Sequence, residues 1–252
     1  MKRSRSKMSR TGQIISSKIG QAIGDYNLVE EGDKILVAVS GGKDSLTLLH
    51  LLAARRDWSP VYFEIKAAHV ETDMACSTAV PKPELEDIFA SLCVPYYFRA
   101  MKVLDESAST TCFWCSWNRR KMLFSLAAET GCNKVALGHH KDDIVETILL
   151  NLFYKGEISA MQPRQEMFKG QCVIIRPLCY VEERMTRRFS EENGFPMQTH
   201  RCPFGEETQR RRMKEMIYQL QKETPGTNIK SNIFNSVARI NAEYIGLKED
   251  PC

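Results

Sequence analysis

Three groups of residues in this chain of 252 could do chemistry by their types and spacing. The first is Ser40-Gly41-Gly42-Lys43-Asp44-Ser45, directly after the apolar run KILVAV and directly before SLTLLHLLAARR. Two glycines let the backbone turn tightly and approach a ligand closely, and a new helix offers unpaired N–H groups and the positive end of its dipole to an anion. Lys43 adds a full charge, and Ser40 and Ser45 add hydroxyls, so the segment suits a phosphate group. It is not the Walker pattern, because Asp follows Gly42-Lys43 and Val37 stands where the first glycine would fall; nor is it G-x-G-x-x-G. An ordinary strand-to-helix turn also uses Gly, Ser and Asp. The lysine, the hydroxyls and the strand context together favour the phosphate cradle.

The second group is Ala136-Leu137-Gly138-His139-His140-Lys141-Asp142-Asp143, followed by the helical stretch IVETILLNLFY. Asp142 and Asp143 fall in a first helical turn, where their charge complements the dipole, a structural reason sufficient for an isolated pair. Gly138-His139 at the crevice edge of the same sheet adds a functional one, because Asp143 there could help hold the Mg²⁺ that accompanies a nucleotide. His139 and His140 suit phosphate contacts or packing at a strand end. The third group is Cys112-Phe113-Trp114-Cys115, ahead of a basic amphipathic helix, with Cys202 further on. A C-x-x-C puts two thiolates within reach of one metal, and a helix N-terminus with Arg119 and Arg120 nearby favours the thiolate. A redox pair and a structural zinc site are the alternatives, zinc being weakened because no second C-x-x-C or C-x-x-H follows Cys202. A cluster held by three cysteines would leave one iron open to substrate or sulfide. The other cysteines, at 76, 93, 132, 172, 179 and 252, read as small core residues or ordinary thiols.

The elements that must position these groups alternate short apolar runs with amphipathic segments. Strands are expected at Lys34 to Ser40, Tyr62 to Glu71, Tyr96 to Val103, Lys134 to His139 and Val173 to Tyr180, with helices beginning near Asp44, Pro83, Ser116, Asp142 and Glu182. That order predicts an α/β fold, an open, doubly wound parallel sheet whose ligand crevice lies beyond the carboxyl ends of the strands. After Asn193-Gly194 the chain becomes charged, with a helix expected from Glu206 to Lys222 and a Pro225-Gly226 break before a last helical stretch. Residues 1–33 are expected to form a basic helical arm, 34–197 the nucleotide domain and 198–252 a small helical C-terminal extension that carries Cys202.

SGGKDS after a first hydrophobic strand resembles the PP-loop of the ATP pyrophosphatases, which cleave ATP to AMP and pyrophosphate. Within that group the order SGGKDS, CxxCxxxRR, LGHHKDDxxET, NxFxxG, IRPLxY is similar to the tRNA 2-thiocytidine synthetase family, and the likeness runs from about residue 12 into QRRRMKEMI and PGTNIKSNIFNSVARI. The resemblance implies a 4Fe-4S enzyme, with Cys112, Cys115 and Cys202 as ligands, that adenylates cytidine 32 of a tRNA and inserts sulfur to give 2-thiocytidine. It implies ATP bound by Ser40, Gly41, Gly42, Lys43, Asp44, Ser45, Gly138, His139 and Asp143, with Lys43 and Asp143 carrying the catalysis. It also implies an essential aspartate at Asp143, with Asp142 as second choice, beside Mg²⁺, a sulfur donor such as a cysteine desulfurase or free sulfide, and a homodimer. The sequence departs from the fuller family pattern at Gly205, where many members carry the last cysteine of a second C-x-x-C.

Composition bounds the reading. At 43% hydrophobic and 26% charged residues the chain suits a folded domain with a real core, which excludes disorder along most of its length. Its longest apolar run, Ile35 to Val39, is far short of the roughly 20 residues of a membrane span, and the basic N-terminus leads into no signal-like apolar stretch, so the expected compartment is the cytoplasm. A net charge of +4 is too small to establish a polyanion partner. Its distribution says more: five of the first ten residues are Lys or Arg, and Arg119, Arg120, Arg210, Arg211, Arg212 and Lys214 form dense basic stretches suited to RNA phosphates or to a solvated helix face. The rival readings are a PP-loop enzyme thiolating or amidating another acceptor, a metal-dependent RNA-binding or redox module, and a zinc-stabilised nucleotide-binding protein.

Overall fold

The computed structural model describes residues 8–74, 80–104, 110–196 and 207–244. Cys76, Cys202, Gly205, Cys252 and most of the basic N-terminal stretch lie outside the described residues. Two compact units are distinguished, Met1–Lys141 with Gln162–Gly205, and Asp142–Met161 with Glu206–Cys252.

The first unit is built on six strands: β1 (Asp33–Ala38), β2 (Phe63–Thr72), β3 (Tyr96–Met101), β4 (Lys134–Ala136), β5 (Arg164–Met167) and β6 (Cys172–Ile175). They pair in the order β3-β2-β1-β4-β6-β5, all parallel except β5, which runs antiparallel on the edge. The expected α/β sheet is present, with one strand more than expected. β5 reads RQEM, too polar to resemble a strand, and is drawn in by pairing Gln165 opposite Ile174 on β6. β6 stops at Ile175 rather than Tyr180, because Arg176-Pro177 follows and proline donates no ladder hydrogen bond.

From β1 the chain moves outward to β2 and β3, then returns to lay β4 on the other side of β1. The reversal lies between β1 and β4, and such a point opens a crevice at the carboxyl ends of both strands. One side of the sheet carries α2 (Lys43–Arg56), with α1 (Arg10–Tyr26) and α6 (Glu183–Glu192) packed beside it. α1 buries Ile15, Ile19 and Ala22, and Ser9 and Thr11 donate to Glu192 of α6 at 2.6 and 2.7 Å. α4 (Cys112–Glu129) packs on β1, β2 and β4, where Leu123, Leu126 and Ala127 meet Leu36, Ala68, Val135 and Ile174. α3 (Lys82–Ser91) sets Phe89 against Tyr96 and Phe98 of β3.

The second unit contains nearly all of α5 (Lys141–Lys155), α7 (Glu207–Glu223), α8 (Ile229–Ser236) and a 3-10 turn at Ala242–Tyr244. Met213, Ile217 and Phe234 are its buried apolar anchors on α7 and α8. No helix among the described residues is long and apolar enough to cross a membrane.

Candidate active site

The phosphate loop occupies the turn from β1 into α2. Gly41 takes φ +85°, and a Cβ there would stand 3.1 Å from Val80, so both conformation and space demand glycine. Gly42 is the N-cap of α2 and no side chain caps it, which leaves the helix end without the usual hydroxyl or carboxylate acceptor. Ser45 stitches the turn instead: its hydroxyl donates to the Gly42 carbonyl at 2.9 Å and accepts from the Ser40 N–H at 3.1 Å. Ser40 Oγ accepts from the Gly42 N–H at 3.3 Å.

Gly138 ties the second motif to this loop. A Cβ at Gly138 would meet Ser45 N at 3.0 Å and Ser45 Cα at 3.1 Å, so the end of β4 lies directly against the first turn of α2. Residues almost a hundred positions apart are thereby joined at the reversal point of the sheet. His140 is buried, with Nε2 3.9 Å from Asp44 Oδ1. Asp44 is the hub of a wider network: it pairs with Lys43 at 2.9 Å and accepts a hydrogen bond from the Thr186 hydroxyl. Lys43 also approaches Glu183 Oε1 at 3.4 Å, and Glu183 pairs with Arg187 at 3.1 Å. His69 of β2 donates from Nδ1 to the Val39 carbonyl at 2.7 Å, the direction being set because a carbonyl can only accept.

Glu183, Thr186 and His69 carry no motif in the sequence. The first two stand one turn apart at the start of α6, where they read as helix-start residues, and only the fold puts them on the loop.

Asp142 and Asp143 lie in the first turn of α5. Asp142 is buried and ion-paired with Lys230 of α8. Arg210 of α7 stands 3.4 Å from Glu146 and 3.9 Å from Asp143, while Arg211 pairs with Glu215 at 2.9 Å. Lys230, within the stretch NIKSN, is a further member that spacing could not connect to Asp142.

The cysteine pair opens α4, four residues earlier than the expected start at Ser116, because Thr111 caps the helix: its hydroxyl accepts from the Trp114 N–H at 3.1 Å. Cys115 is half-buried. Cys112 is the first residue of the same helix, one turn earlier. That donor chemistry fits an iron–sulfur cluster. Among the described residues no group of three His, Cys, Asp or Glu is placed to hold a metal, and Cys202, the third expected ligand, lies outside them.

The PP-loop domain family matches residues 12–219 of the chain. A tRNA-cytidine(32) 2-sulfurtransferase of Geobacter metallireducens is 39% identical over 236 residues, covering 92% of this chain and 91% of that protein. Its counterpart in Syntrophotalea carbinolica is 40% identical over 242 residues, covering 92% and 90%. Among solved structures, the U34-tRNA thiolase NcsA from Methanococcus maripaludis with its 4Fe-4S cluster is similar in fold, with a TM-score of 0.75 at 21% identity, covering 96% of this chain and 82% of that one. A loop, a sheet reversal and a sequence likeness that all run through the same residues lead to one assignment: the chain belongs to the tRNA-cytidine(32) 2-sulfurtransferase family of PP-loop proteins.

Proposed function

We propose that the protein is an ATP-dependent tRNA thiolase that converts cytidine at position 32 to 2-thiocytidine. In the first step O2 of the base attacks the α-phosphorus of ATP, the α–β phosphoanhydride bond breaks, and pyrophosphate leaves. In the second, sulfide forms a bond to C2, the C2–O2 bond breaks, AMP leaves and the sulfur gives up its proton. Adenylation is needed because the base oxygen alone is a poor leaving group. The observation that carries this reading is the match to the curated relatives over nine-tenths of the chain, with the SGGKDS turn folded as an uncapped helix end at the sheet reversal.

Each group has a role in this reading. The N–H groups at the start of α2 and the Lys43 ammonium hold the departing phosphates, donors already in place that need no reorganisation as charge develops. Asp44 and Thr186 orient Lys43. Asp143 is assigned to the Mg²⁺ accompanying ATP, with Asp142, already neutralised by Lys230, in second place. Cys112, Cys115 and Cys202 would hold a 4Fe-4S cluster, which would supply a place for sulfide. The sulfur originates from free sulfide or a cysteine desulfurase, and the reaction belongs to the cytoplasm, where tRNA and ATP are.

The test is anaerobic purification, then incubation with unmodified tRNA, MgATP and sulfide, with nucleosides read by mass spectrometry. ATP- and iron-dependent 2-thiocytidine is the expected product. Iron-loaded protein that binds ATP and makes none would move the assignment to another acceptor.

A further inference from the structure

The helix that carries the cysteine pair has a second property. Phe113, Trp114 and Trp117 in its first two turns are 74%, 54% and 54% exposed, although aromatic rings are among the side chains with most to gain from burial. Phe113 and Trp117, four residues apart, lie nearly parallel, with 12° between their planes and 6.4 Å between centroids. The backbone beneath them is pinned, since Asn118 donates to the Trp114 carbonyl at 2.9 Å and Ser116 to the Phe113 carbonyl at 3.0 Å.

Positive charge continues the same stripe. Positions 113, 117 and 120 follow one face of the helix and 114 and 121 the adjacent row, and Arg120 and Lys121 are both exposed. Rings give way to cations within about 12 Å of helix length. The first acidic residue of α4 is Glu129, at its far end. Behind this face Arg176 is buried after β6, bonded to the Gln162 carbonyl and the Gln165 side chain, both neutral, and burial together with the charge of Arg120 pushes its guanidinium down to about 10. The region is therefore positively charged in depth as well as at its surface.

Exposed rings that can stack, cations beyond them and no carboxylate between match the chemistry of single-stranded nucleic acid, whose unpaired bases offer π-faces and whose backbone offers phosphates; a duplex hides those faces. We propose that the outer face of α4, through Phe113, Trp114 and Trp117 with Arg120 and Lys121 on the backbone, stacks unpaired bases flanking the target nucleotide, and so brings the RNA loop to the helix end that bears Cys112 and Cys115. The proposal rests on the reading of the substrate as tRNA given above.

The test uses the full-length, iron-loaded protein under anaerobic conditions with three probes: unmodified tRNA, a seven-nucleotide RNA of the anticodon-loop sequence, and an RNA duplex. Phe113→Ala and Trp117→Ala are each expected to weaken tRNA and heptamer binding about tenfold, leaving duplex binding unchanged and the iron content at the wild-type level. Trp117→Phe should restore most of the affinity, because any ring can stack. Alanine variants with wild-type affinity for tRNA and heptamer would overturn the proposal. So would variants that keep RNA affinity but lose iron or bleach faster in air, since the rings would then serve to shield the cluster. If the wild-type protein thiolates tRNA and the variants behave in either of those ways, the stacking face alone is wrong; if the wild-type neither binds tRNA nor makes 2-thiocytidine, the substrate reading fails first.

Discussion

The ammonium of Lys43 sits between two carboxylates of its own chain, Asp44 at 2.9 Å and Glu183 at 3.4 Å. In the proposed reaction the phosphates of ATP would compete with Glu183 for that ammonium. Glu183→Gln is therefore expected to tighten ATP binding several-fold in a calorimetric titration, whereas Lys43→Ala should lower ATP-dependent AMP release by about a hundredfold, the scale of losing one preorganised donor. The thiols divide just as sharply. Burial pushes Cys179 up to about 12, and Cys172 is raised by burial and by neighbouring Cys132, so neither offers much thiolate near neutral pH. Iodoacetamide at pH 8 on iron-free protein should label Cys93 and Cys115, which reach solvent, well before Cys179 or Cys172, as peptide mapping will report. Sequence alone distinguished the paired cysteines from the solitary ones by spacing. It could not show that Asp44, offered as a ligand contact, is the hub joining Lys43, His140 and Thr186, because Thr186 is 142 positions away.

At the level of elements, two substitutions separate packing from chemistry. Gly138→Ala would drive a methyl into the Ser45 backbone at 3.0 Å, a neighbour that cannot swing aside as a side chain would. It is expected to cost about 1–3 kcal/mol of stability and to weaken ATP binding as well, because the atoms displaced are the loop itself. Thr111→Ala removes the cap of α4 and should cost about 1 kcal/mol in denaturant unfolding without touching ATP affinity. The strands β1, β2 and β4 were legible from pattern alone, as was the strand-loop-helix setting of SGGKDS. β5 was not, since its four residues are mostly polar and owe their extended form to β6. The start of α4 escapes the pattern because Thr110-Thr111 and two cysteines have weak helix propensity, and only the fold shows the Thr111 hydroxyl accepting from the Trp114 N–H.

For the molecule as a whole, a net charge of +4 understates the field that an RNA would meet, because the charges are clustered. Affinity for tRNA is expected to fall steeply with salt. Replacing Arg120 and Lys121 by Gln should reduce the slope of log K against log salt by about 1.5. Replacing Arg211, already paired with Glu215 at 2.9 Å, should reduce it by less than one charge's worth. The topology carries one more implication, for synthesis. Ser9 and Thr11 complete their hydrogen bonds only on Glu192, a separation of 183 positions for Ser9. The chain emerges from its N-terminus at roughly 5–20 residues per second, so the helix made first waits on the order of 10–40 s for α6 to be made. Throughout that interval the apolar stripe of Ile15 and Ile19 lacks part of its eventual cover, and the nascent protein is at its most attractive to the holding chaperones that meet chains as they leave the ribosome.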